Sequence, residues 1–346
     1  MRETIMIRRF VLKRLLTGAL QMLGLTLAVF FLVRMLPADP VSRLVGLNAS
    51  PEAYKQAQRS LGLDEPVMTQ LLNYLGIGSD SGLLQGDLDV SWVTNAPVLA
   101  EIGASLPITL ELLTYSFAVT LLFAVPVGVA SAANPGKAVD KFVFFYGLFG
   151  GSQPEFWWGL LFVLIFFANL GIAPAPLGMI SPLLQAPPRV TGFYTLDALI
   201  AGDFRAFFDI LHHLMLPVLT MVFVLSGPVI KMVRQSMIRA QASDFVLYAN
   251  AAGLRRKTVT RYAMRAAIAP TITLVGILYG VMLGGAVLVE SVFSLGGIGQ
   301  YAVRSVLAFD YPSIQGIVLV ITAISLLIYL LLDILYAIID PRVVYT

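Results

Sequence analysis

The chain has 346 residues, 58% of them hydrophobic and only 12% charged, and its mean hydropathy is +0.84. Soluble domains carry about 25% charged residues, so this composition describes a membrane protein. The net charge of +3 excludes a broad nucleic-acid-binding surface, and the absence of cysteine excludes disulfides, thiolate metal sites and thiol catalysis.

Six stretches in chain order are apolar over the ~20 residues that a spanning helix needs. They are Leu15–Leu36, Ile108–Ala133, Phe142–Ile172, Leu214–Val233, Ala266–Val289 and Ile314–Ile339. The first follows a basic start (Arg8, Arg9, Lys13, Arg14) but outlasts the roughly 7–15 residues of a signal-peptide core, so it reads as a retained helix. The segment that follows is expected to form a helical cap, with Ser50 as N-cap, Pro51 at the first helical position and Gly62 as the stop. The third span is long, and Pro154 beside Glu155 predicts that it is kinked or that one end lies outside the bilayer. Residues 173–213 are first proline-rich and then amphipathic through LDALIAGDFRAFFDILHH, which predicts a helix lying along the membrane interface. The glycines of SLGGIGQ, between the last two spans, read as a tight turn. The chain thus divides into a first helix (1–36), an outer segment (37–104) and a five-helix core (105–346) that includes a basic loop at 236–268.

Orientation follows from the basic residues. Six spans put both termini on one side, and sixteen of the 23 Lys and Arg fall there, among them Lys137, Lys141, Lys231, Arg234, Arg255, Arg256, Lys257, Arg261, Arg265 and Arg342. Six fall on the other (Arg43, Lys55, Arg59, Arg189, Arg205, Arg304), and Arg34 ends the first span. Both termini and the 236–268 loop are therefore expected in the cytoplasm.

No constellation for membrane catalysis is present: HExxH, GxSxG and GxxxxGK[ST] are all missing from the sequence. The two histidines, His212 and His213, are adjacent and diverge on a helix, which makes a poor chelate. Carboxylates inside or beside the spans are functional candidates by default. Glu111, Glu155 and Glu290 are the candidates for a translocation pathway, with Phe156 and Trp157 beside Glu155. Structural readings compete: Glu111 lies one turn into a helix whose dipole favours it, Glu290 lies at a helix end, and PEFWWG suits an aromatic interfacial anchor.

Within the basic loop, DFVLYANAAG reads as a short helix with Asp244 as N-cap and Gly253 as its end. Phe245, Tyr248, Ala249 and Ala252 then share a face by helical spacing. A helix this short is marginal in water, so the face calls for a partner. The positive-inside rule alone accounts for Arg255, Arg256 and Lys257 but not for this apolar, small-residue half.

DFVLYANAAGL followed by AMRAAIAP resembles the "EAA" loop of ABC-transporter permeases, specifically the peptide/nickel import family and its first-permease type. The resemblance extends along nearly the whole chain, through VLKRLL…RMLPADP, LGLDEP, GDLDVSW, LPITLELL, QPEFWWG and GAVLVESVFSLGGIGQYAVRSVLAFDYPSIQG. Departures fall at Ser243, where the family has an acid, at Leu247 and Ala252, where it has basic residues, and at Asp89, where it has glycine. The resemblance implies an all-α integral membrane protein with the type I ABC importer transmembrane fold: six transmembrane helices, a cytoplasmic coupling helix and a helical outer segment. It implies ATPase coupling through Asp244, Phe245, Tyr248, Ala249, Ala251, Ala252, Gly253 and Leu254, with Pro270 setting the start of the fifth helix. No cofactor is expected on this chain, ATP and Mg being held by two partner ATP-binding subunits. A homologous second permease chain, an extracytoplasmic solute-binding protein and a bacterial or archaeal cytoplasmic membrane complete the expectation. The implied cargo is a short peptide or a related small solute. The rival reading is a secondary transporter driven by an ion gradient, which would bury more charge than this sequence carries.

Overall fold

In a computed structural model, the structure describes residues 2–35, 39–46, 48–78, 80–150 and 152–339, without the side chains of residues 2–11, 269 and 335–339. Leu36, the end of the first expected span, and Arg342 lie outside the described residues. The helices are α1 (Arg2–Met35), α2 (Pro40–Val45), α3 (Pro51–Ser60), α4 (Val67–Leu75), α5 (Val98–Ala133), α6 (Ala138–Gly150), α7 (Glu155–Phe162), α8 (Tyr194–Ile200), α9 (Phe204–Gln241), α10 (Asp244–Ala251), α11 (Arg256–Phe293), α12 (Ile298–Ala308) and α13 (Tyr311–Ile339). Among the described residues the only β pairing is a single bridge, Val90 to Pro97. Helices satisfy their own backbone groups, which lipid demands of any spanning segment.

Among the described residues, five helices are long and apolar enough to cross a membrane: α1, α5, α9, α11 and α13. The third expected span, Phe142–Ile172, is not one helix. It breaks into α6, an extended Pro154 (φ −62°, ψ 152°), α7 and a π-helical segment, Val163–Asn169. Proline lacks the N–H that would continue the ladder and disfavours helix at the preceding residue. Two other expectations need correction. The segment expected along the interface is α8, then a turn at Gly202 (φ 69°), and then the first turns of α9, whose N-cap Asp203 accepts from the Ala206 amide. Pro270 does not start the fifth helix either: α11 runs through it unbroken from Arg256 to Phe293, although the apolar stretch of α11 that could cross a membrane is Pro270–Phe293. At about 1.5 Å per residue this 38-residue helix is about 57 Å long, far more than a ~30 Å hydrocarbon core requires.

The chain separates into two compact units. The first comprises Met1–Leu106 and Gln300–Leu326. Here α3 has the caps read from sequence: Ser50 Oγ accepts from the Ala53 amide at 3.2 Å, and Gly62 follows with φ 64°. Asp310 ties the 88–98 segment down, its carboxylate accepting from Ser91 Oγ (2.5 Å), the Trp92 amide (3.1 Å) and Ser313 Oγ (2.7 Å).

The second unit comprises Pro107–Gly299 and Leu327–Thr346. One of its apolar clusters gathers Leu112, Leu113, Trp158, Ile210, Met221, Met282, Ala286 and Phe293; the other gathers Val229, Ile230, Val233, Met237, Val246, Ala249 and Ala263. The SLGGIGQ glycines do more than turn. After Ser294 (φ 54°) and Gly296 (φ 80°), Gly299 at the start of α12 lies so close to α11 that a Cβ there would sit 2.6 Å from Val287 Cα. Backbone cannot yield as a flexible side chain does, so Gly299→Ala is expected to cost ~1–3 kcal/mol, read as a lower midpoint of thermal unfolding in detergent. Gly103→Ala, where nothing lies within 4 Å, is expected to be neutral or mildly stabilising.

Candidate functional site

The 242–256 connection is built around α10. Its N-cap is Ser243 (φ −83°, ψ 153°), and Asp244 is the first helical residue rather than the cap expected from sequence. An acid in the first turn still favours the helix dipole. The helix closes with a Schellman motif: the Leu254 amide donates to Ala249 O (3.1 Å) and the Gly253 amide to Asn250 O (3.0 Å). Gly253 has φ 71°, the left-handed conformation that the motif requires.

Packing sets which face remains free. Val246 (2% exposed) and Ala249 (5%) are buried in the cluster formed by α9 and α11, beside Val233, Met237, Ala240, Val259 and Ala263. Leu247 (70%) and Tyr248 (77%) stand outward, with Phe245 and Leu254 about half exposed and Ala251 and Ala252 also exposed. The expected face of Phe245, Tyr248, Ala249 and Ala252 is thus rotated: Ala249 belongs to the interior, and the open face centres on Leu247, Tyr248 and Ala251. Arg255, the N-cap of α11, and Arg256, Lys257, Arg261 and Arg265 are all exposed beside it.

A salt bridge that sequence reading missed braces the adjacent α5–α6 turn. Arg234 of α9 grips Asp140 with both carboxylate oxygens engaged, Nε to Oδ1 at 2.5 Å and Nη2 to Oδ2 at 3.0 Å. Ser131 Oγ and the Gly136 amide also donate to Asp140. The Arg234 hydrogen bonds, followed by these donors, hold the Asp140 carboxyl far below the usual carboxylate range. Its sequence signal was an acid placed among Lys137 and Lys141, too weak to name its partner.

The three candidate pathway carboxylates part company. Glu111 is fully buried and accepts from the Tyr194 amide (2.8 Å), the Thr195 amide (2.9 Å) and Thr195 Oγ1 (2.5 Å). It supplies the first turn of α8 with the acceptors that a helix start lacks. Glu290, also fully buried, binds Thr109 Oγ1, and the same hydroxyl oxygen accepts from the Ile298 amide at 2.9 Å. A Cβ on Gly297 would fall 2.4 Å from the Glu290 carboxyl carbon. Both residues are anchors between spans and connections, not an open lining. Glu155 differs. It is partly exposed at the start of α7, has no hydrogen-bond or ion-pair partner among the described residues, and faces Gly285 of α11, where a Cβ would lie 3.4 Å from its Oε1. Phe156 beside it is half-buried and Trp157 is exposed. The histidines take separate partners, His212 the Ile172 carbonyl and His213 Asp209, and no metal-binding group of three occurs among the described residues.

Long apolar helices with an exposed short helix clamped between two of them form the frame of a helical membrane protein. The chain belongs to the family of binding-protein-dependent transport system inner membrane components, which matches residues 124–345. The N-terminal region of such membrane components matches residues 6–114. Among its relatives, the probable D,D-dipeptide transport system permease protein DdpB of Escherichia coli K12 is 37% identical over 92% of this chain and 93% of its own length. The dipeptide transport system permease protein DppB of the same strain is 32% identical over 97% and 98%. The di/tripeptide transport system permease protein DppB of Pseudomonas aeruginosa UCBPP-PA14 is 34% identical over 92% and 94%. The fold is accordingly that of a type I ABC importer permease, and the chain is a transport component, not an enzyme.

Replacing Glu111 by Ala strands two buried amides, each costing ~1–3 kcal/mol. Thermal unfolding is expected to show Glu111→Ala well below wild type and Glu111→Gln, which keeps one acceptor, between them. Asp140 has a depressed folded pKa, so its contribution is complete above the usual carboxylate range, about 4, and fades as pH falls below it. The stability gap between wild type and Asp140→Asn is therefore expected to be widest at neutral pH and to narrow on acidification.

Proposed function

We propose that the chain is one half of the translocation pathway of an ATP-driven importer for short peptides, and that α10 is the element through which ATP-binding subunits act on it. The observation that carries this reading is the clamped helix: Val246 and Ala249 fix α10 to α9 and α11, while Leu247, Tyr248 and Ala251 are left exposed. An apolar face of this kind, on a helix too short to stand alone, suits a groove on another protein. Asp244, Phe245, Ala252, Gly253 and Leu254 frame it, and Pro270 lies within the helix that continues from it.

Two ATP-binding subunits hold ATP and Mg; a second, homologous permease chain supplies the other wall of the pathway; an extracytoplasmic solute-binding protein delivers cargo. The basic-residue asymmetry supports cytoplasmic termini and a cytoplasmic α10, with 37–104 as the extracytoplasmic segment and 105–346 as the permease core. Glu155, unpaired and partly exposed with Trp157 beside it, is the pathway residue of choice, suited to the ammonium end of a peptide. Peptide cargo is supported by the dipeptide and di/tripeptide systems named for the relatives.

Tyr248→Asp places a charge in the centre of the open face without touching the clamp. It is expected to lower ATP-driven uptake at least tenfold in reconstituted vesicles and to weaken co-purification of the ATP-binding subunits, with thermal stability unchanged. Uptake at the wild-type rate by an importer assembled with this variant would defeat the docking reading.

A further inference from the structure

The first unit holds a cavity of about 240 Å³ at the C-terminal end of α1, walled by that helix, α4, the 81–92 segment and the start of α13. Its chemistry is unbalanced in a specific way. The Arg34 guanidinium stacks on Phe30, 3.5 Å from the ring centroid, with Tyr311 at 6.0 Å. Nε donates to Gln70 Oε1 at 2.8 Å and Nη1 to the Phe30 carbonyl at 3.3 Å. Nη2 has no partner, and no carboxylate lies within ion-pair distance of Arg34, among the described residues. Gln315, 5% exposed and also in the wall, carries a buried amide Nε2 without a partner among the described residues. Buried donors of this kind are nearly always satisfied, and a stacked guanidinium with a free edge is preorganised for an oxyanion.

A second part of the same wall has the opposite sign. Asp89 sits in the left-handed region (φ 68°), a conformation that favours glycine. Its Oδ1 accepts from the Val90 amide at 2.7 Å, while its neighbours are Asp87 and Asp310, not a cation. Burial first, then these like charges, push its carboxyl up from the ordinary value. Trp92 and Tyr311, packed at 5.1 Å, and Tyr74 add the aromatic surface that ammonium groups favour.

We infer that this cavity binds a small zwitterion, its oxyanion on Arg34 and Gln315 and its ammonium on Asp89 beside the Trp92–Tyr311 pair. Two sources carry that chemistry: a short peptide from solution, and the headgroup of an amine-bearing phospholipid at the end of α1. Neither Glu155 nor α10 lines this cavity, and binding is measured on the assembled importer without ATP.

The importer is placed in nanodiscs of phosphatidylglycerol alone, which lacks an ammonium, and titrated with alanyl-alanine, its N-acetyl form and its C-terminal amide. A peptide site predicts that each blocked form binds about tenfold or more weaker. Arg34→Gln then weakens alanyl-alanine but not the amide, and Asp89→Gly, comfortable at this φ, weakens alanyl-alanine but not the acetyl form. A lipid site predicts instead that native mass spectrometry finds phosphatidylethanolamine retained over phosphatidylglycerol in mixed nanodiscs, and that either substitution abolishes this preference. Unchanged thermal midpoints in Asp89→Gly exclude misfolding as the cause. Absence of both signals, or binding indifferent to both substitutions, overturns the inference.

Discussion

A polar group carried into hydrocarbon must find its partner within the protein, and the second unit is organised around two such groups. Glu111 and Glu290 are fully buried, and both are held by hydroxyl or amide donors from segments distant in sequence. Glu111 fixes the start of α8. Glu290, through Thr109, fixes the passage from α11 into α12, where a Cβ on Gly297 would meet the Glu290 carboxylate and one on Gly299 the backbone of Val287. Losing Glu111 would leave the Tyr194 and Thr195 amides without their acceptor, and losing Glu290 would leave the Thr109 hydroxyl without its acceptor. α11 also holds Pro270 in its interior, which leaves one helical bond unmade.

Helix α11 thereby acquires two fixed ends. Glu290 secures one, and the Val246–Ala249 clamp brings α10 onto the other, with a single 38-residue helix between. The Asp140–Arg234 bridge holds the neighbouring α5–α6 turn against α9. A short helix gripped in this way has little freedom to rotate, so whatever binds its outer face acts on α9 and α11 together. The family's usual basic residues give way here to Leu247 and Ala252, which makes that face apolar rather than charged.

Much of the architecture was legible because hydropathy and capping are local. The spans, the Ser50–Pro51 start of α3, the Gly253 end of α10 and the family itself all follow from short patterns. What escaped depended on distant packing. Helical spacing groups Ala249 with Phe245 and Tyr248, but only the gap between α9 and α11 decides that Val246 and Ala249 turn inward. Glu111, Glu155 and Glu290 look alike as isolated carboxylates in apolar sequence, yet two are held by donors 83 to 181 residues away in the chain. Pro154 interrupts its span, as its sequence position suggested, whereas Pro270, expected to start a helix, lies inside α11.

The natural absence of cysteine makes the central claim, that the outer face of α10 receives the ATP-binding subunits, open to direct measurement. Single cysteines are introduced in turn for Leu247, Tyr248, Ala251 and, as the inward control, Val246, and cross-linking to the ATP-binding subunits of the assembled importer is measured. The account predicts cross-links from the first three positions and none from Val246→Cys. Cross-links that are equal at all four positions, or absent from all four while uptake continues, would contradict it.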